Sequence, residues 1–502
     1  VPSACHLLAL DQGTTSSRAI VFDPAGAVVA SASRPLTPRY PKPGWVEQDP
    51  DEIWSSQRDA AAEALERAQL SGRDLVAVGV ANQRETTIVW ERATGRSVYP
   101  AIVWQDRRTA EDCAQLRRNG AEAMVTRRTG LRLDPYFSAT KIRWILEHEP
   151  NLRRRAENGE LCFGTVDSWL IWHLSGGRLH VTDASNASRT LLYNLATGGW
   201  DHDLLSFFGV PRVMMPDIRA SSEVCGEIAM EMPGGGAPIA GIAGDQQAAL
   251  FGQACFQAGM AKNTYGTGCF LLLNTGTERV VSRNGLLTTV AWRIGNQTEY
   301  ALEGSVFAAG AAIQWLRDEL RLVQSAQELD EFAATATDTG GAYLVPAFAG
   351  LGAPHWDPYA RGILVGLTRG TNRAQICRAV LEAIAHQSAD LVTCMEKDSG
   401  LRIEELRVDG GASRSQLLMQ IQADLLGIPV LRPAQVETTA LGAVYLAGLA
   451  VGFWGSLDEI AKNQPKGTMF EPGEDLSTVP DRRRGWERAL ERARDWETPH
   501  LR

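Results

Sequence analysis

The chain has 502 residues, 44% hydrophobic and 22% charged, with a formal net charge of −9. At roughly 100–250 residues per domain, that length calls for two or more domains of ordinary globular composition. The negative balance argues against general nucleic-acid binding, which needs basic stripes, yet leaves room for one local nucleotide cradle.

The predicted elements alternate between strand and helix along the whole chain, the pattern of an α/β fold. Residues 8–23, "LALDQGTTSSRAIVFD", read as a hairpin whose turn holds Asp11, Gly13, Thr14, Thr15, Ser16, Ser17 and Arg18. A third strand is expected over 27–33. A helix follows, with Asp49 as its cap, Pro50 in the first position and Glu52 in the third. "LVAVGVANQ" (75–83) is a buried strand, and two short strands are expected at 86–91 and 101–105. "PGGGAP" (233–238) is a loop. Beyond it, "AKNTYGTGCFLLLNTG" repeats the opening logic of strand, Gly/Thr turn and strand, hinting at two related halves that divide near residue 250. Residues 371–396 form an amphipathic helix with Asn372 as its cap. "VDGGASRSQLLMQIQADLLG" (408–427) reads as strand, glycine turn and helix. Residues 438–457 are uncharged and near membrane-spanning length, but four glycines and the missing flanking cations favour a buried helix. The tail "DRRRGWERALERARDWE" reads as a solvated helix.

Eight cysteines are scattered without a Cys-x-x-Cys pair, and no histidine pair has zinc-like spacing, so a reducing, cytoplasmic setting is expected. No basic segment leading into a long apolar core opens the sequence, and no signal peptide is expected. The glycine turns are the candidates for chemistry, the alternative being ordinary tight hairpins with solubilising Ser and Thr. A phosphate-binding turn needs inward backbone N–H groups, no bulky Cβ, hydroxyl donors, a cationic fork and an acid able to hold Mg²⁺ through water. The first turn has all of these, and two further Gly-rich turns follow strands at 265–268 and 409–411. Neither a Walker-type loop nor a dinucleotide fingerprint is present.

"ALDQGTTSSRAIVFD", "NQRETT", "VWQDRR", "GDQQAALFG", "YGTGCF" and "VDGGA", in that order between residues 9 and 412, resemble the FGGY carbohydrate kinase family. "YFSATKIRWILEHEP" and "GILVGLTRGTNRAQICRAVLEAIAHQ" extend the resemblance to nearly the whole chain. Arg84-Glu85-Thr86-Thr87 with Trp104-Gln105-Asp106 is the pattern of the glycerol-phosphorylating members. The resemblance implies two actin-like or hexokinase-like (ribonuclease H-like) α/β domains with a cleft between them, here 1–250 and 251–502. It implies ATP-dependent phosphorylation of glycerol to sn-glycerol 3-phosphate, with Mg²⁺, in a homo-oligomer (dimer or tetramer). By similarity, Arg84 and Glu85 bind two glycerol hydroxyls, Tyr136 and Gln246 add contacts, and Trp104 and Phe270 wall the carbon chain. Asp245 is the expected catalytic base. Thr14, Thr15, Ser16 and Arg18 fit the phosphate end of ATP, Asp11 the Mg²⁺, and Thr267 a second phosphate turn. Gly310, Gln314, Gly411 and Ala412 match contacts to the rest of the nucleotide.

Two positions and one stretch depart from the family pattern. Ser415 stands where many members carry an Asn at the adenine end, which puts nucleotide selectivity in question. Gly236 stands where some bacterial members bind fructose 1,6-bisphosphate through an Arg, so that effector is expected to inhibit weakly or not at all, as a titration would show. No His lies between 203 and 354, where other members are activated by histidine phosphorylation. The alternatives are a kinase for another polyol or short ketose, and an actin-like ATPase switch. The switch would share the phosphate turns but have no use for the Arg84, Glu85, Trp104, Asp245 and Phe270 set.

Overall fold

The computed structural model describes residues 5–473 and 475–497. Its centre is one sheet of 13 strands. One half runs, from the edge inward, through strands at 28–35, 16–22, 6–12, 75–82 and 238–244; the other runs inward to outward through 297–306, 269–276, 261–265, 406–409 and 430–432. The two halves share a pairing scheme. In the first, strand 6–12 is antiparallel to 16–22, which is antiparallel to 28–35, while 6–12, 75–82 and 238–244 run parallel. In the second, 261–265 is antiparallel to 269–276, which is antiparallel to 297–306, while 261–265, 406–409 and 430–432 run parallel. The repeated turn chemistry in the sequence thus reflects a repeated sheet.

The parallel strands are buried on both sides and read as continuous apolar runs. Their alternate residues go to opposite faces. Leu8, Leu10, Val78 and Val80 pack in one cluster, which takes in Ile53 and Ala60 of the helix Pro50–Ala68. Leu7, Ala9, Ala77 and Ala81 pack in another, against Leu441, Val444 and Ala447 of the helix Thr438–Ala450. That helix is the uncharged stretch of the sequence. It is buried, and among the described residues no helix is long and apolar enough to cross a membrane.

The helix Thr438–Ala450 crosses the helix Asp245–Gly252 at paired glycines. A Cβ on Gly442 would lie 1.8 Å from the Ala248 carbonyl oxygen, and one on Gly252 would lie 1.9 Å from that of Thr438. Backbone cannot swing aside as a side-chain tip can. Gly442→Ala is therefore expected to cost about 1–3 kcal/mol or more of stability, read as a lower denaturation midpoint; an unchanged midpoint would mean that the helices are free to move apart.

Most sequence boundaries hold within two residues. The first helix spans Pro50–Ala68, with Asp49 accepting from the Asp51 N–H at 3.0 Å. The long helix spans Arg373–Ser399, with Asn372 and Gln375 forming a reciprocal cap. The tail forms the helix Val479–Ala493, which ends earlier than expected and is not solvated all round: Trp486, Ala489, Leu490 and Ala493 are buried in the core. The third strand begins and ends slightly later than expected, at Val28–Pro35.

Candidate active site

Chemistry-bearing residues gather at the carboxyl ends of the parallel strands, the edge where α/β sheets bind ligands. Asp11 pairs with Ala81, and Gln12 with Asn82, which is level with Gly244, the residue before Asp245. In the other half, Thr264 is level with Asp409, just before the turns at Gly266–Gly268 and Gly410–Gly411. The topology alone thus delivers residues more than 200 positions apart to one edge of the sheet.

Arg84 and Glu85 follow the strand Leu75–Asn82. Glu85 holds a φ of 61°, a left-handed conformation rare for Glu. Three donors fix its carbonyl oxygen: Thr87 Oγ1 at 3.1 Å, Ser138 Oγ at 3.2 Å and Lys141 Nζ at 3.4 Å. Lys141 is fully buried, and burial lowers it to about 7. Strained backbone held from several sides is a frequent mark of a working site.

The side chains of this pair sit in a charge network. Arg84 donates through Nη1 to Glu303 Oε2 (2.5 Å) and Gln247 Oε1 (3.1 Å), and through Nη2 to Glu303 Oε1 (3.1 Å). Its Nε lies 3.3 Å from Asp245 Oδ1. Arg189 donates through Nε to Glu85 Oε1 (2.6 Å) and through Nη2 to Glu303 Oε1 (2.8 Å). Of the five N–H groups on Arg84, three donate to Glu303 and Gln247, the one on Nε faces Asp245 as an ion-pair contact rather than a hydrogen bond, and the second on Nη2 stays without a partner among the described residues, as does Oε2 of Glu85. The pair therefore offers one donor and one acceptor. Burial raises Glu85 despite Arg189 and Arg84. Burial also pushes Glu303 up, but its two arginines outweigh that and hold it below the usual carboxylate range.

Three half-buried aromatic rings flank this pair. Trp104 meets Tyr136 edge-on at 5.6 Å and Phe270 at 6.2 Å. The Trp104 indole N–H donates to Thr14 Oγ1 at 2.9 Å, which ties the wall to the first glycine turn. The Tyr136 hydroxyl has no partner among the described residues. Asp245 opens the helix Asp245–Gly252 with 29% of its side chain exposed, enclosed by protein yet open on one side. Burial raises its carboxyl, while Arg84 and Lys262 lower it. Gln246 accepts from Lys262 Nζ at 2.5 Å, and burial lowers that lysine to about 8.

The first turn is braced from behind by buried amides. Gln83 donates to Gln12 Oε1 (3.1 Å), the Gly13 carbonyl (3.2 Å) and Gln48 Oε1 (2.9 Å), and Gln48 donates to the Thr14 carbonyl (2.5 Å). Thr15 is exposed, and Thr14 and Ser16 are partly so. Arg18 does not stand free: it donates to Asp11 Oδ2 (2.5 Å) and Glu437 Oε2 (2.6 Å). Asp11 Oδ1 has no partner among the described residues. Burial raises Asp11 against the pull of Arg18. Among the described residues no group of three or more His, Cys, Asp or Glu is placed to hold a metal. One carboxylate oxygen beside a phosphate turn is still enough for Mg²⁺, which keeps several waters and takes its other ligands from phosphates.

The second turn meets the start of the helix Gly310–Asp318, where Gly310 N–H donates to the Gly266 carbonyl at 3.0 Å and Ala311 N–H to that of Thr267 at 3.0 Å. A Cβ on Gly310 would lie 2.6 Å from the Gly266 oxygen, so glycine is required there. Thr267 and Gln314 are exposed. The third turn packs under the second: a Cβ on Gly410 would lie 2.5 Å from the Tyr265 carbonyl oxygen, leaving Gly411 exposed and Ala412 half-buried. Ser415 caps the helix Gln416–Leu426 through the Leu418 N–H (3.0 Å) and donates its own proton to Asp330 Oδ1 (2.8 Å).

Sequence reasoning missed Glu303, Arg189, Lys262 and Lys141. None of the four stands in a spacing pattern that points to a site. Conversely, Asp106 of "VWQDRR" is scaffold: it accepts the Val46 N–H at 2.6 Å and pairs with Arg108 at 2.8 Å, fixing the loop that carries Trp104.

Comparison with known proteins covers nearly the whole chain. The N-terminal domain model of the FGGY family of carbohydrate kinases covers residues 6–252, and the C-terminal domain model covers 261–451. A protein named glycerol kinase from Trichlorobacter lovleyi is 57% identical over 493 residues, 98% of this chain and 99% of that protein. A glycerol kinase from Deinococcus radiodurans is 57% identical over 492 residues, 98% of each chain. The crystal structure of Plasmodium falciparum glycerol kinase with ADP superposes with a TM-score of 0.91 at 34% identity, covering 97% of this chain and 98% of that one. With both domain models matched and relatives at this identity over almost its full length, the chain belongs to the FGGY family of carbohydrate kinases.

Proposed function

We propose that this chain transfers the γ-phosphoryl group of ATP to a terminal hydroxyl of glycerol, giving sn-glycerol 3-phosphate and ADP. One observation carries the reading. The buried Arg84–Glu85 pair keeps one unspent donor and one unspent acceptor beside the Trp104, Tyr136 and Phe270 rings and the Asp245 carboxylate. A small polyol with hydroxyls on one edge and carbon on the other is complementary to such a surface. The names of the relatives, glycerol kinase in both bacterial cases, support the same substrate.

The steps then follow from the residues. Arg84, Glu85, Tyr136 and Gln246 orient glycerol between Trp104 and Phe270. Asp245 accepts the proton of the attacking hydroxyl as its oxygen bonds to the γ-phosphorus and the bond to the β–γ bridging oxygen breaks. The hydroxyls of Thr14, Thr15, Ser16 and Thr267 and the backbone of the glycine turns hold the phosphates. Arg18 joins them by exchanging its carboxylate partners for phosphate oxygens. Asp11 would hold Mg²⁺, which neutralises charge on the phosphates. Gly310, Gln314, Gly411 and Ala412 line the remainder of the nucleotide site. Ser415 acts there through Asp330, since its hydroxyl proton is already committed. Residues 1–250 and 251–502 act as two domains whose closure excludes water.

A substrate panel tests the reading. With Mg²⁺-ATP, glycerol is expected to exceed erythritol and xylulose in kcat/KM by more than about 100-fold, since mismatched hydroxyls leave buried partners unpaired. A higher kcat/KM for the ketose or the longer polyol would overturn it.

A further inference from the structure

Glu303 touches neither Asp245 nor, in the reading above, the substrate. It lies in the strand Gln297–Val306 of the second half of the sheet, fully buried, and grips Arg84 of the first half through both carboxylate oxygens. Its Oε1 is shared with Arg189, whose Nη1 is buried without a partner and whose guanidinium lies 5.7 Å from the Tyr136 ring and 5.3 Å from that of Phe137. Arg84 in turn faces Asp245 through Nε at 3.3 Å. The chain of contacts is Arg189, Glu303, Arg84, Asp245, with charges alternating in sign.

We infer that Glu303 is a positioning residue that sets the basicity of Asp245, by holding the Arg84 guanidinium and offsetting its charge. The inference rests on Asp245 being the base. A cation beside a carboxylate favours the ionised form and makes a weaker base. Arg84 is needed to orient glycerol, and unopposed it would weaken Asp245. Glu303, bound to the far side of the guanidinium, draws part of that charge away. Arg189 moderates Glu303 in the opposite sense.

The other charges facing Asp245 are Lys262 on the strand Ala261–Tyr265, which also lowers it, and Asp11 on the strand His6–Gln12, which raises it. Glu85 is next in line beyond Arg84, 3.9 Å from its Nε. Of the other elements packed against the helix that Asp245 opens, the helix Thr438–Ala450 and the strands Cys269–Gly276, Pro238–Gly244 and Leu75–Asn82 bring no charged side chain, and the strand Leu287–Ile294 brings Arg293, which donates to the Gly198 and Ile218 carbonyl oxygens.

The test is the acid limb of kcat/KM for glycerol, followed with Mg²⁺-ATP in the wild type, Glu303→Gln and Arg189→Met. Removing the Glu303 charge leaves Arg84 and Arg189 with Glu85 as the one remaining carboxylate between them, so more of the Arg84 charge acts on Asp245 and stabilises its ionised form. The limb should move to lower pH, on the order of one unit for a single charge at an effective dielectric of about 20. Because the base is weaker, kcat should fall as well. Removing the Arg189 charge leaves Glu303 less neutralised, so the limb should move to higher pH. Titration of the nucleotide is common to all three proteins and cancels in the comparison. Damage to packing alone would lower both rates without giving limb shifts of opposite sign. Should Glu303→Gln not fold, Arg189→Met still reads the sign by itself. An unmoved limb in either variant, or shifts in the same direction, would overturn the inference. Asp245→Asn separates the underlying reading: if that variant keeps its rate, Asp245 is not the base; if it is inactive and the limbs do not move, only the role of Glu303 fails.

Discussion

Asp245→Asn is expected to lower kcat for glycerol-dependent ADP release by about 10²–10⁴-fold, the usual worth of a positioned general base. The substitution removes the proton acceptor and the negative charge that faces Arg84 and Lys262, and keeps the shape of the side chain. Asp245 is the first residue of its helix, and its Oδ1 accepts the Gln246 N–H at 2.8 Å, a bond that an amide oxygen can keep. With 29% of the side chain exposed, no buried cavity is made. Stability should therefore change little, and the KM for glycerol should change far less than kcat, because Arg84, Glu85 and the aromatic walls are untouched. A variant whose kcat stays within a few-fold of wild type would show that the proton leaves by another route. A variant that loses mainly KM would make Asp245 a binding group.

Arg84→Ala should be the most damaging change to the fold as well as to activity. Arg84 is 3% exposed and is the only side chain linking Glu303, Gln247 and Asp245 among the described residues. Its removal leaves Glu303 sharing a single cation, Arg189, in a site closed to water. Breaking a buried ion pair from one side costs about 3–5 kcal/mol, because the surviving charge stays desolvated. The measurement is the denaturant midpoint with an unchanged slope. A loss under about 1 kcal/mol, the range of an exposed pair, would mean that water reaches the network and that its geometry does not organise the site.

The two halves were legible in the sequence because their signal is local. Gly/Thr turns between apolar runs announce hairpins, and the repeat of that pattern at 8–23 and 261–276 corresponds to a repeated order of strands. The caps at Asp49 and Asn372 were legible for the same reason. The charge network was not. Arg84 and Glu303 are 219 positions apart, and Arg189 and Glu85 are 104 apart; no spacing rule joins such pairs, and only the sheet topology does. Glu85 gave little local sign of its left-handed backbone either, since two of the three donors on its carbonyl, Ser138 and Lys141, come from more than 50 positions away. Ser415, where the chain departs from the family's Asn, shows a second limit of pattern reading. Its hydroxyl is already used for a helix cap and for Asp330, and the place of a residue in a pattern does not reveal which hydrogen bonds remain free.

The central claim is a phosphoryl transfer that depends on glycerol, and the direct measurement is ADP release by the purified protein with Mg²⁺-ATP, with and without glycerol. Turnover should be negligible without glycerol and rise steeply and saturably with it, one ADP released for each glycerol phosphate formed. ADP release at the same rate in the absence of glycerol would contradict the account and make the glycine turns those of an ATPase switch.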